Sequence, residues 1–140
     1  YGDKNVYTTP RDMFNFSRAM FSENFLRKDL MERVFIPYSN EKPGINNYGL
    51  GFRMKIFDEN SKLTFHNGWW HGTNSVFGHL LQSKVTIVAI GNKFSSRVYT
   101  ALALSALFEN FPYEAEKLNK TLGIKGSTNA KTDTVDVYEE

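Results

Sequence analysis

The chain contains no cysteine, and that single absence removes disulfides, thiolate metal sites and a cysteine nucleophile together. It leaves a reducing and an oxidising compartment equally open. No apolar run approaches the length of a membrane span, and no signal peptide stands at the front. Charge of one sign is not gathered into a stripe: 17 Lys and Arg and 15 Asp and Glu are scattered, for a formal net charge of +2. A nucleic-acid partner or a membrane surface is therefore not expected. The three histidines, His66, His71 and His79, have no carboxylate or fourth ligand at a telling spacing, and no His-Glu-x-x-His occurs. Neither a metal nor another cofactor is expected. There is no internal repeat.

What is present suits one domain with a real core: 140 residues, 41% hydrophobic and 15% aromatic. The chain starts at Tyr1 and its apolar pattern begins within ten residues, which predicts a piece of a longer protein. "TTPRDMFNFSRAM" offers Thr9 as an N-cap, Pro10 at the first helical position and Asp12 closing a capping box. A helix over Pro10 to Phe21 follows, with an apolar stripe of Met13, Phe14, Phe16, Ala19 and Met20. A shorter helix is predicted from Leu26 to Val34, ahead of Pro37. Its Arg27, Lys28 and Arg33 mix with Glu23, Asp29 and Glu32 as on a solvated face. Residues 38 to 47 read as a loop around Pro43-Gly44.

Four strands should follow. "YGLGFRMKIF" alternates, with Tyr48, Leu50, Phe52, Met54 and Ile56 on one side. Leu63 to His66 is the return strand and Ser75 to Gln82 the third. "KVTIVAIGN" is apolar on both faces and so central, joined to the third strand as a hairpin through Ser83-Lys84. Ser95 or Ser96 caps a last helix with Val98, Leu102 and Ala106 on its apolar face. The fold class is α+β: an antiparallel sheet of about four strands flanked by N-terminal helices and a C-terminal helix. Residues 1–118 make the folded part, and 119–140 a polar tail or linker.

Three stretches in this order carry a resemblance: "VYTTPRDMFNF", "NYGLGF" and "HNGWWHGTNS". The first resembles a small-residue pair before an Asp-apolar helix, and the second a Tyr-Gly-x-Gly-aromatic strand. The third resembles the His-x-Gly stretch that replaces Lys-Thr-Gly in many penicillin-recognising serine hydrolases. Over about Tyr1 to Asn110 the chain resembles the C-terminal part of the class C β-lactamase-like family, which includes D-alanyl-D-alanine peptidases and esterases. The resemblance implies a partial β-lactamase/transpeptidase-like fold and an acyl-serine mechanism. It also implies a periplasmic, extracellular or cell-envelope setting.

By that resemblance, His66, Asn67 and Gly68 meet the substrate, a peptide, β-lactam or ester. His66 stands on the wall of the cleft, and Gly68 leaves room for the acyl group. The backbone amide of Trp69 completes the oxyanion hole. Gly72 would be a structural turn, with Trp70 and His71 unassigned. His in place of Lys weakens the permanent charge that would meet a carboxylate, so lactamase action is less secure than peptidase or esterase action.

"SNEK", Ser39 to Lys42, and "YSN", Tyr38 to Asn40, mimic the family's Ser-x-x-Lys and Tyr-x-Asn. The two overlap, lie after the Asp helix, and place Lys42 before Pro43, which disfavours the helical turn that would stack Ser39 on Lys42. A turn is the better account. The piece would then hold one wall of an active site without its nucleophile or bases, and would be inactive alone. Its partner would be the missing N-terminal portion of the same protein, and the isolated piece should self-associate through uncovered edges.

Two rivals stand beside this. One is a non-catalytic peptide- or glycan-binding domain using Trp69 and Trp70 as a stacking platform. The other is a family member that has lost its serine and acts as a sensor or scaffold. For the tryptophans, alternation along a strand suggests that one packs into the core while the other borders a cleft. His79 reads as a polar residue on a solvent face or as a hydrogen-bonded core histidine.

Overall fold

In the computed structural model, residues 6–40 and 44–111 are described. The expected tail at 119–140, Glu41 and Lys42 of the "SNEK" segment, and Pro43 after it lie outside them. Helix α1, Pro10–Met20, begins at the capping box: Thr9 Oγ1 accepts from the Asp12 amide at 3.2 Å, and the Thr9 amide donates to the Asp12 carboxylate at 3.3 Å. Of its apolar stripe Met20 is buried, whereas Phe14 and Phe16 stay about half exposed. Helix α2, Lys28–Val34, is slightly shorter than predicted.

The sheet has five antiparallel strands in the order β1-β2-β3-β4-β5: Asn46–Tyr48, Arg53–Ile56, Lys62–Trp70, Thr73–Leu80 and Val85–Gly91. The single strand predicted from Tyr48 is in fact two, β1 and β2, folded back on each other. The Gly49 amide donates to Phe52 O at 2.7 Å to close the reversal, and Gly51 takes a φ of +80°, open to glycine and strained for other residues. The alternation of Tyr48, Leu50 and Phe52 imitated a strand across this turn. In the same way, two residues of the predicted 38–47 loop belong to β1.

The return strand β3 runs past His66 to Trp70. His71 and Gly72, with φ of +41° and +84°, form a two-residue turn of the kind that lets strand pairing reach its edge. Strand β5 pairs with β4 as predicted but ends the described sheet instead of lying at its centre. Its apolarity on both faces has another cause, since α1 packs on one side and the C-terminal helix on the other. That helix, Ser96–Leu107, is a 3-10 helix and not an α-helix, and Ser95 Oγ caps it by accepting from the Arg97 amide.

Two cores result, one on each face. Leu63, Phe65, Val76, Leu80, Ile87 and Leu102 fill the space under the 3-10 helix. Met20, Phe35 and Met54, with Phe52, Ile56 and Phe77 around them, fill the space under α1 and α2. His79 belongs to this second layer and is 1% exposed. Its ring meets Phe77, Phe21 and Phe52 at centroid distances of 4.4, 5.1 and 5.8 Å. Nδ1 lies 3.4 Å from Thr86 Oγ1, which in turn lies 2.8 Å from Ser17 Oγ on α1. It is thus a core histidine and not a solvent-facing one. Among the described residues no helix is long and apolar enough to cross a membrane.

Candidate functional site

The stretch His66 to Trp70 differs from the rest of β3 in having only one neighbouring strand. β2 pairs with β3 from Lys62 to Phe65 and no further, whereas β4 pairs with all of it. Beyond Phe65 the other edge is open among the described residues. The Phe57 amide donates to Ser61 O at 3.0 Å, which sets the alternation of peptide directions along β3. Leu63 and Phe65 therefore turn their N–H and C=O groups toward β2. Continuing the alternation, Asn67 and Trp69 turn theirs toward the open edge, and His66, Gly68 and Trp70 turn theirs toward β4. The Trp69 N–H is an outward-facing donor on an edge that no strand among the described residues pairs with.

Side chains alternate likewise. Thr64, His66, Gly68 and Trp70 share the face of α1 and α2, and Asn67 and Trp69 the opposite face. His66 is the ordered polar group of this wall. Its Nε2 is 2.8 Å from the Tyr48 hydroxyl and its Nδ1 2.8 Å from the Asn67 carbonyl oxygen. A carbonyl can only accept, so Nδ1 carries the hydrogen, and in the neutral ring Nε2 accepts from the Tyr48 O–H. Two bonds hold the imidazole in one tautomer at the rim of the edge. Replacing Tyr48 by Phe is expected to release that tautomer. Imidazole 15N shifts would show it as a move of Nε2 away from a hydrogen-bonded acceptor, and unchanged shifts would contradict the assignment.

Of the predicted site residues, His66, Gly68 and the Trp69 amide converge on this edge. The Asn67 side chain does not join them: it turns to the other face, where its Oδ1 is buried with no partner among the described residues. Only its backbone lies at the edge. Gly68 does not lie under empty space. A Cβ there would strike the Oγ of Ser75, its direct cross-strand partner. Tyr48 and Ser75 are the residues that sequence reasoning missed. Neither carries a local signal, since Tyr48 meets His66 across β2 and Ser75 meets Gly68 through the β3–β4 register.

The tryptophans also depart from expectation. Neither is in the core: Trp69 is 62% exposed and Trp70 46%. They sit at the end of β3. Trp69 lies beside Phe94 at 6.2 Å and Trp70 beside His71 at 4.3 Å, on opposite faces, so the two indoles cannot form one flat platform. Ser39 and Asn40 serve a loop: the Ser39 amide donates to Asn47 Oδ1, and Asn40 Oδ1 accepts from Asn47 Nδ2, each at 2.9 Å. Next to Ser75, an apolar hollow between α1 and the sheet is lined by Met13, Phe16, Phe77, Val88 and Ile90. No group of three or more His, Asp or Glu among the described residues could hold a metal ion.

No family model matches the chain. Over 105 residues, 75% of its length, it is 25% identical to Penicillin-binding protein 4* of Bacillus subtilis (strain 168), and it spans 23% of that protein. Its fold is similar to the crystal structure of penicillin binding protein from Bacillus halodurans, with a TM-score of 0.62 and 21% identity over 72% of this chain and 31% of that one. The chain thus spans less than a third of each relative.

Proposed function

From the premise that the chain forms part of a β-lactamase-like domain of the penicillin-binding-protein type, we propose that it supplies the third wall of an acyl-serine active site within a longer protein. The observation that carries this is the open edge of β3, with the Trp69 N–H directed into it.

A serine on another part of the whole protein, its proton taken by a base also outside this chain, attacks the carbonyl carbon of an amide or ester. The carbonyl oxygen becomes an anion in the tetrahedral intermediate, and the fixed Trp69 N–H donates to it. Collapse of the adduct expels the amine or alcohol and leaves the acyl group on the serine. The same edge can hold a substrate's extended backbone as an added strand, with the Asn67 and Trp69 peptide groups as partners. His66, its ring held by Tyr48, faces the substrate's polar end. Such a wall suits a peptide, a β-lactam or an ester, and by likeness to its relatives the protein works in the cell envelope.

The chain by itself should not turn over substrate. Mixed with a chromogenic β-lactam or ester it should give no burst, while the whole protein that carries it should give one, with the acyl group on a serine outside this chain. Acylation of Ser39, found by mass spectrometry of digested peptides, would overturn the assignment of the nucleophile. A whole protein with no acylation at all would overturn the enzymatic reading.

A further inference from the structure

The Trp69 N–H and the Gly68 C=O are the two ends of one peptide plane. The Gly68 carbonyl points toward β4, and it also accepts from the hydroxyl of Tyr99, on the 3-10 helix, at 3.1 Å. That hydroxyl accepts from Asn74 Nδ2 at 2.7 Å, and Asn74 Oδ1 accepts from the Ser95 amide at 2.8 Å. Asn74 is 3% exposed and is the register partner of Trp69 on β4.

The direction of this relay follows from its ends. A backbone amide can only donate, so the oxygen of Asn74 faces Ser95 and its NH2 faces Tyr99. The oxygen of Tyr99 is then an acceptor from Asn74, and its own hydrogen is directed to Gly68 O, which can only accept. All the bonds run the same way and end on the peptide whose N–H faces the open edge.

We propose that Tyr99, fixed by Asn74, is a positioning residue for the Trp69 amide. This rests on the reading of that amide as an oxyanion donor. A hydrogen bond to a peptide's carbonyl oxygen draws charge across the plane and makes its N–H a stronger donor, because hydrogen bonds in series polarise one another. It also fixes the plane's tilt before substrate arrives, so the donor need not reorganise as charge develops. A tyrosine kept only for packing would need none of this, since its ring makes the apolar contacts.

Tyr99→Phe removes the hydroxyl and keeps the ring. In the whole protein carrying this chain, selectively labelled, the substitution should move the Gly68 carbonyl 13C and Trp69 amide 15N resonances more than those of Phe65 or Val76. The acylation rate at saturating substrate should fall by about tenfold with KM little changed, less than the hundredfold or more that losing an oxyanion donor outright costs. The unaltered protein supplies a second measurement that does not depend on the variant's folding. Exchange of the Tyr99 hydroxyl proton for deuterium should shift the Gly68 carbonyl resonance. No isotope shift there, or unmoved Gly68 and Trp69 resonances in the variant, overturns the proposal. So does a variant with those resonances moved but acylation at the wild-type rate. If the unaltered protein acylates nothing, the enzymatic reading fails instead, and the two NMR measurements still decide whether Tyr99 holds this peptide.

Discussion

Taking the protein from pH 7 to pH 4 is expected to remove about 3 kcal/mol of folding stability through His79 alone. Burial among the rings of Phe21, Phe52 and Phe77 lowers its pKa from 6.5 to about 4, because the ring is removed from the water that would solvate the imidazolium. The sign follows from proton counting. Between pH 6.5 and about 4 the unfolded chain binds a proton at His79 that the folded chain refuses. Acid therefore favours unfolding in this window, and the contribution is whole above 6.5.

Two other groups have shifted values. Lys62 has its pKa lowered by burial, and its Nζ donates to Phe35 O at 2.8 Å. Asp58 is lowered, chiefly by the hydrogen bond from the Asn60 amide. Urea denaturation at stepped pH would measure the slope. In His79→Leu the loss between pH 6.5 and 4 should largely vanish, and an unchanged slope in that variant would assign the acid sensitivity elsewhere. Because Thr86 bridges His79 and Ser17, the first element to loosen in acid should be α1, visible as faster amide exchange there than in β3.

Gly68→Ala should disturb the site more than a single added methyl would suggest. The added Cβ would meet the Ser75 hydroxyl oxygen, while the Ser75 Cβ stands at an ordinary 3.5 Å. Ser75 is held opposite Gly68 by the register of β3 and β4, so its hydroxyl must leave its present rotamer to make room. Overpacking of this kind costs about 1–3 kcal/mol. The functional effect should be larger. The Trp69 amide is the next group along the strand, and a displacement of about 1 Å at a reacting site can cost about a hundredfold in rate.

The cause can be isolated. Ser75→Ala removes only the offending oxygen, so Gly68→Ala/Ser75→Ala should recover most of the stability, with a coupling of about 1 kcal/mol or more in the double-mutant cycle. Additive effects would mean that the glycine is needed for something other than Ser75, such as direct approach of substrate.

The motifs pointed to one strand and left its geometry open. "HNGWW" marked β3, and His66, Gly68 and the Trp69 amide do lie along one edge. Asn67, counted with them by adjacency, is turned to the other face by the two-residue strand period. The tyrosine that orients His66 lies 18 residues earlier in sequence, in a segment whose even alternation hid a turn. The indoles illustrate the same limit. Alternation predicted opposite faces correctly, but burial depends on whether another element reaches that end of the strand.

What the sequence by itself determined is local. The capping box at Thr9 and Asp12, the start of α1, the His71-Gly72 turn and the pairing of β4 with β5 each depend on residues within a few positions of one another. Their preferences are set by backbone sterics and neighbouring hydrogen bonds. The tertiary structure alone decided that β2 stops pairing at Phe65 and leaves an edge open, that Tyr48 meets His66, that Ser75 occupies the space over Gly68, and that Tyr99 reaches the Gly68 carbonyl. Each of these depends on strand register and helix docking. Those are set by the summed packing of two cores, which no short stretch of sequence encodes.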